Sequence, residues 1–175
     1  MEITETVVGV QEIFRGRVLH VQVNDVVLAD GTQTKREIVS HPGAVCIVPL
    51  LQGNVLLVRQ YRLAASGPLL EIPAGTREPG EAPEVCAARE LREETGYGAG
   101  KLHLLGSFFV APGYSTERVY AYLATDLTPD ALQMDADERL LLEALPVGQV
   151  AQMIYGGELL DAKTIAAVLM ALPLV

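Results

Sequence analysis

The chain has 175 residues, half of them hydrophobic, which is enough apolar material for one well-filled domain and excludes a disordered chain. Acidic residues outnumber basic ones by 22 to 13, giving a net charge of −9. No stretch gathers the basic residues, which argues against a nucleic-acid partner. Cys46 and Cys86 both fall in apolar segments and make no disulfide framework, as expected of a reducing compartment. The first ten residues carry no basic region followed by an apolar run, and the apolar stretch 165–175 is too short to span a bilayer and contains Pro173. A cytoplasmic protein with no membrane partner is expected.

In chain order, alternation predicts three antiparallel strands over residues 4–10, 17–28 and 34–39, the last two joined by a turn at Ala29-Asp30-Gly31-Thr32. Three strands alone bury little, so residues 1–40 must lean on something else. The valine-rich middle strand favours a second subunit over the main domain of residues 41–175. The run GAVCIVPL at 43–50 is apolar throughout and reads as a buried strand. Strands at 55–60 and 69–73 lead to a glycine-containing turn, and residues 82–95 predict a helix with an apolar stripe of Val85, Ala88 and Leu91. Strands at 102–110 and 118–125 flank the loop APGYSTE. A strand at 140–145 and helices at 146–155 and 161–172 complete an α/β pattern of mixed sheets between helices.

The predicted helix over 82–95 carries more carboxylate than solubility requires. Glu90 and Glu94 are four apart and share a face, with Glu93 beside them, and Arg89 is four before Glu93. Like charges so close repel, and a hard divalent cation such as Mg²⁺ would turn that repulsion into binding. Upstream, Arg59 and Arg62 in VRQYR read either as surface cations on a negative protein or as forked contacts for phosphate or carboxylate.

The stretch from Gly75 to Gly96 resembles the Nudix box: Gly75, Glu81, Arg89, Glu90, Leu91, Glu93, Glu94 and Gly96 all match, and Tyr97 stands at a final position that is usually aliphatic. The VRQYR run, the segment Glu71-Ile72-Pro73-Ala74-Gly75 and the loop around Pro112 are similar to those of ADP-ribose pyrophosphatases. That resemblance implies a Nudix fold whose small N-terminal sheet is exchanged in a homodimer. It also implies Mg²⁺-dependent hydrolysis of a nucleoside diphosphate, ADP-ribose giving AMP and ribose 5-phosphate, with Mn²⁺ or Zn²⁺ able to substitute. By the same resemblance the carbonyl of Ala74 joins Glu90 and Glu94 on the metal, and Glu93 orients water. Pro112, Gly113, Ser115 and Glu117 form the substrate loop, with Arg59 and Arg62 on phosphate. Glu138, with Asp137 as its rival, would activate or fix the attacking water. Glu81 and Arg89 would hold the box in shape. A hydrolase of another nucleotide sugar such as GDP-mannose, and a sensor that binds ADP-ribose without cleaving it, are the alternatives.

Overall fold

The computed structural model describes residues 2–134 and 139–175, which divide into two units. The first comprises the described part of Met1–Gly43 together with Phe109–Arg118. Its strands β1 (Glu5–Arg15), β2 (His20–Leu28) and β3 (Gln33–Ser40) pair antiparallel in chain order. The expected turn at 29–32 is present: Asp30 accepts the Thr32 amide at 2.9 Å, and Gly31 takes φ 85°. Strand β1 continues past the expected end at residue 10, because Gly16 donates to the Leu19 carbonyl at 2.9 Å and turns the chain there. Residues 17–19, expected in a strand, belong to that turn. Val7, Val8, Val10, Ile13 and Phe14 of β1 are exposed. Residues 109–118 join this unit through β3. Val39 donates to the Tyr114 carbonyl at 2.7 Å and accepts the Thr116 amide at 3.0 Å.

The second unit is built around β4 (Ala44–Leu51), followed by β5 (Asn54–Arg62), β6 (Gly67–Glu71), β7 (Ala74–Thr76) and the helix α1 (Pro83–Thr95). Strands β8 (Tyr97–Phe109), β9 (Arg118–Pro129) and β10 (Leu140–Pro146) follow, then helices α2 (Val147–Tyr155) and α3 (Ala162–Ala171). Among the described residues the sheet runs β10-β5-β4-β9-β8, with β6 added to β5 and β7 to β4. Strand β4 is antiparallel to β5 and β7 and parallel to β9, so the sheet is mixed and the class is α+β. No helix among the described residues is long and apolar enough to cross a membrane.

Successive side chains of a strand point to opposite faces, and β4 is buried on both. Ala44, Cys46 and Val48 face a core with Leu57, Ile72, Val119 and the α3 residues Ala167, Val168 and Ala171. Val45 and Ile47 face a second core with Tyr122 and the α1 residues Cys86, Ala87 and Leu91. Helix α1 therefore covers one face and α2 and α3 contribute to the core on the other. This is why GAVCIVPL shows no polar alternation.

Helix α1 begins with Pro83 in its first turn, where a missing N–H costs nothing, and stops at Gly96, whose φ of 77° is the left-handed cap glycine favours. Its phase differs from the expected stripe. Val85 is exposed, and the buried positions are Cys86, Ala87, Glu90, Leu91, Glu94 and Thr95. Small residues at 86 and 87 let the helix approach the sheet closely, and this rotation carries Glu90 and Glu94 inward. Val85→Glu should therefore change stability by no more than about 0.5 kcal/mol, whereas Ala87→Glu, which buries an unpaired charge, should cost about 3 kcal/mol or more. Thermal or urea melts of the two variants check the phase.

Candidate active site

Arg89 sits at the centre of the box. Its Nε and Nη2 fork onto Glu81 Oε1 and Oε2 at 3.0 and 3.1 Å, while Nη1 reaches Glu90 Oε1 at 2.7 Å and Glu93 Oε2 at 2.9 Å. One guanidinium thus gathers carboxylates from the turn before α1 and from two positions on the helix. Glu81 also accepts the amide of Glu78 at 2.9 Å, and Arg77 Nε donates to the Glu81 carbonyl at 3.0 Å. The Arg89 contact, helped by the Glu78 amide, holds the Glu81 carboxyl down at about 2 against the opposing effect of burial. Bonding to Glu81 raises the pKa of Arg89 in return. Burial, aided by Glu81, pushes the Cys86 thiol up to about 12, so it stays neutral beside the acids.

Gly75 and Glu90 explain each other. A Cβ at position 75 would lie 1.9 Å from the Glu90 carboxyl carbon, so any side chain there would evict the carboxylate from its place. Glu94 accepts the Ala74 amide at 3.1 Å. Pairing of Ala74 with Cys46 and of Gly75 with Val45 anchors this short strand on β4. Both Glu90 and Glu94 are 7% exposed. The structure therefore places Glu94 beside Ala74 and Glu90 beside Gly75, with Glu93 joined to Glu90 through Arg89.

Among the described residues, no three His, Cys, Asp or Glu side chains are arranged as a ready-made metal cage. Arg89 supplies the positive charge that keeps Glu81, Glu90 and Glu93 close together. The donors on offer are carboxylate and carbonyl oxygens, with the nearby thiol neutral, which fits a hard divalent ion of the Mg²⁺ kind.

The comparisons agree with this geometry. The NUDIX domain model matches residues 40–167. The chain belongs to the Nudix family. It is a Nudix pyrophosphatase, a family whose fold implies divalent-metal-dependent chemistry. Over 94% of its length it is 38% identical to an ADP-ribose pyrophosphatase of Bacillus subtilis, covering 90% of that protein. It is also 41% identical to a methanol dehydrogenase activator of Bacillus methanolicus, again over 94% of this chain and 90% of the relative. A crystal structure of an ADP compounds hydrolase superposes with a TM-score of 0.88 at 26% identity, covering 99% of this chain and 96% of the other.

Arg59 is paired with Glu143, Nε to Oε1 at 2.6 Å, across the β5–β10 ladder. Arg62 forks onto Glu71, with both contacts at 2.8 Å. Pro112, Gly113, Ser115 and Glu117 lie in the first unit, where Ser115 Oγ accepts the Glu117 amide at 3.1 Å. Glu138 and Asp137 fall outside the described residues. Sequence reasoning placed Glu71 in the segment leading to Gly75 but gave it no role, and it is a carboxylate 1% exposed. Burial alone would raise its pKa, but Arg62 and Lys163 outweigh that and keep it below the ordinary carboxylate range. Its signal was the spacing of an acid immediately before Ile72-Pro73, which reads equally well as a strand end.

The depressed Glu81 pKa sets a pH dependence. A carboxyl near 4.5 when unfolded and about 2 when folded contributes stability in full above pH 4.5, and loses it as pH falls toward 2. In metal-free buffer, Glu81→Gln should melt lower than the wild type at neutral pH. The gap should close across that acid window, as read by melting temperature against pH.

Proposed function

We propose that this Nudix pyrophosphatase hydrolyses the diphosphate of ADP-ribose to AMP and ribose 5-phosphate, with Mg²⁺ as cofactor. The observation that carries the reading is the buried face of α1, where Glu90 and Glu94 turn inward beside Ala74 with Glu93 held by Arg89. Similarity over 94% of the chain to an ADP-ribose pyrophosphatase supports the substrate. GDP-mannose pyrophosphatases, such as that of Yersinia pestis, match over 65% of this chain only, and support GDP-mannose less well. No box glutamate is missing, which speaks for catalysis over mere sensing.

Ala74, through its carbonyl, and Glu90 and Glu94, through their carboxylates, would hold the metal. A bound divalent ion supplies diphosphate charge neutralisation and a lower pKa for the attacking water. Glu93, fixed by Arg89, orients that water, and Glu138 takes its proton or fixes its position. The water oxygen bonds to one phosphorus, and the bridging P–O bond breaks. Arg59 and Arg62 neutralise phosphate charge. Glu71 occupies Nε and Nη2 of Arg62, so a phosphate would meet this guanidinium at Nη1. Pro112, Gly113, Ser115 and Glu117 shape the substrate loop.

Steady-state rates on a panel of nucleotide sugars test the reading. ADP-ribose should be the preferred substrate, and Glu90→Gln and Glu94→Gln should lose most activity without a lower melting temperature in the absence of metal. Glu138→Gln should lower kcat by about 10²-fold with little change in binding, while Asp137→Asn stays mild. Preference for GDP-mannose, or near-wild-type turnover in both box variants, would overturn it.

The first unit is proposed to be exchanged in a homodimer. Its β1 exposes Val7, Val8, Val10, Ile13 and Phe14, more apolar surface than a lone edge strand tolerates well. Sedimentation should show a dimer for the full chain, and deletion of residues 1–40 should abolish the dimer or the activity. A monomeric, fully active truncation would remove the proposal.

A further inference from the structure

Glu71 ends β6 three residues before Ala74, and the proposed reaction makes no direct use of it. Lys163 bonds its Oε2, and the same Nζ stands 2.9 Å from Asp161 Oδ2. Asp161 caps α3 by accepting the Thr164 amide at 3.0 Å, and it also accepts the Thr164 hydroxyl. That hydroxyl oxygen in turn accepts the Ile72 amide at 2.9 Å, at a position where Thr164 is fully buried. The path of polar contacts leaves the chain at Glu71 and returns to it at Ile72.

The next two residues make this return point matter. Pro73 has no N–H, so Ile72 offers the last amide before Ala74 that can anchor the strand. The Pro73 carbonyl accepts the Ile47 amide at 2.9 Å, and the Ala74 amide is held by Glu94. Three consecutive residues are thus fastened by three different elements: α3, β4 and α1. The α3 anchor comes from the core opposite the one that contains α1.

We propose that Thr164, oriented by Asp161 and Lys163, is a positioning residue that sets the direction of the Ala74 carbonyl. The inference rests on the reading of Ala74 and Glu94 as metal ligands. Valine matches threonine in shape but cannot accept the Ile72 amide. That buried donor would then be unpaired, a state a strand relieves by shifting. Serine keeps the acceptor. Partners that orient a ligand typically govern metal affinity by 10- to 100-fold.

The test is Mn²⁺ binding to the metal-free full-length protein, followed by electron paramagnetic resonance, with Mg²⁺ activation of ADP-ribose hydrolysis alongside. Thr164→Val should weaken Mn²⁺ binding by about 10-fold or more, and Thr164→Ser should stay within about twofold of wild type. Thr164→Val should also need more Mg²⁺ for half-maximal rate while its KM for ADP-ribose at saturating Mg²⁺ is unchanged. If the valine variant is too unstable to assay, Thr164→Ala carries the same expectation. Wild-type Mn²⁺ affinity in these variants, with weak binding in Glu94→Gln, overturns the inference alone. A serine variant as weak as valine overturns it too, since packing would then be the cause. Wild-type affinity in Glu94→Gln removes the metal reading and this inference with it.

Discussion

The arrangement of the site depends on one guanidinium. Arg89 draws Glu81, Glu90 and Glu93 together, and without it carboxylates on adjacent turns of a largely buried helix face would repel with little solvent to screen them. Its position follows from the phase of α1, which is set by Cys86, Ala87 and Leu91 packing on β4 and β9. Apolar packing rotates the helix, rotation turns the acids inward, and the arginine makes that orientation affordable. In that place the Glu90 carboxylate fills the space a side chain at position 75 would need.

Much of this was legible in the sequence, for identifiable reasons. The box was visible because its glycine, arginine and glutamates sit at fixed spacing in a helix of defined period. Strand β4 was visible because burial on both faces removes polar alternation. The helix phase was not: Val85 looks like a core residue, and only the closeness of the sheet, which favours Cys86 and Ala87, decides otherwise. Strand β8 begins at Tyr97, well before the expected 102, because YGAGK has weak strand preference and is ordered by its neighbours. The partners of Arg59 and Arg62 were also hidden, since Glu143 lies far along the chain and Glu71 is paired through tertiary burial.

The ion pairs of unit two differ in kind. Arg59 and Glu143 are each about one-third exposed, and pairs in that setting contribute little to stability. Glu71 is 1% exposed and is neutralised by both Arg62 and Lys163, so removing the two cations together would strand a charge in the interior. Arg62 is held in one orientation by its fork onto Glu71.

The parallel pairing of β4 with β9 bears on how the molecule comes to exist at all. Ile47 lies opposite Tyr122, and the box with its helix is strung between these two strands. During synthesis β4 emerges long before the strand that completes its parallel side. Contacts of such long sequence separation form slowly, because a large loop must close first. The surface on which α1 docks includes Tyr122 and Ala124, so the helix can settle into its final phase only once β9 has arrived. A ribosome-bound fragment ending before β9 would carry the complete box motif without Tyr122 and Ala124, part of the surface on which its helix packs.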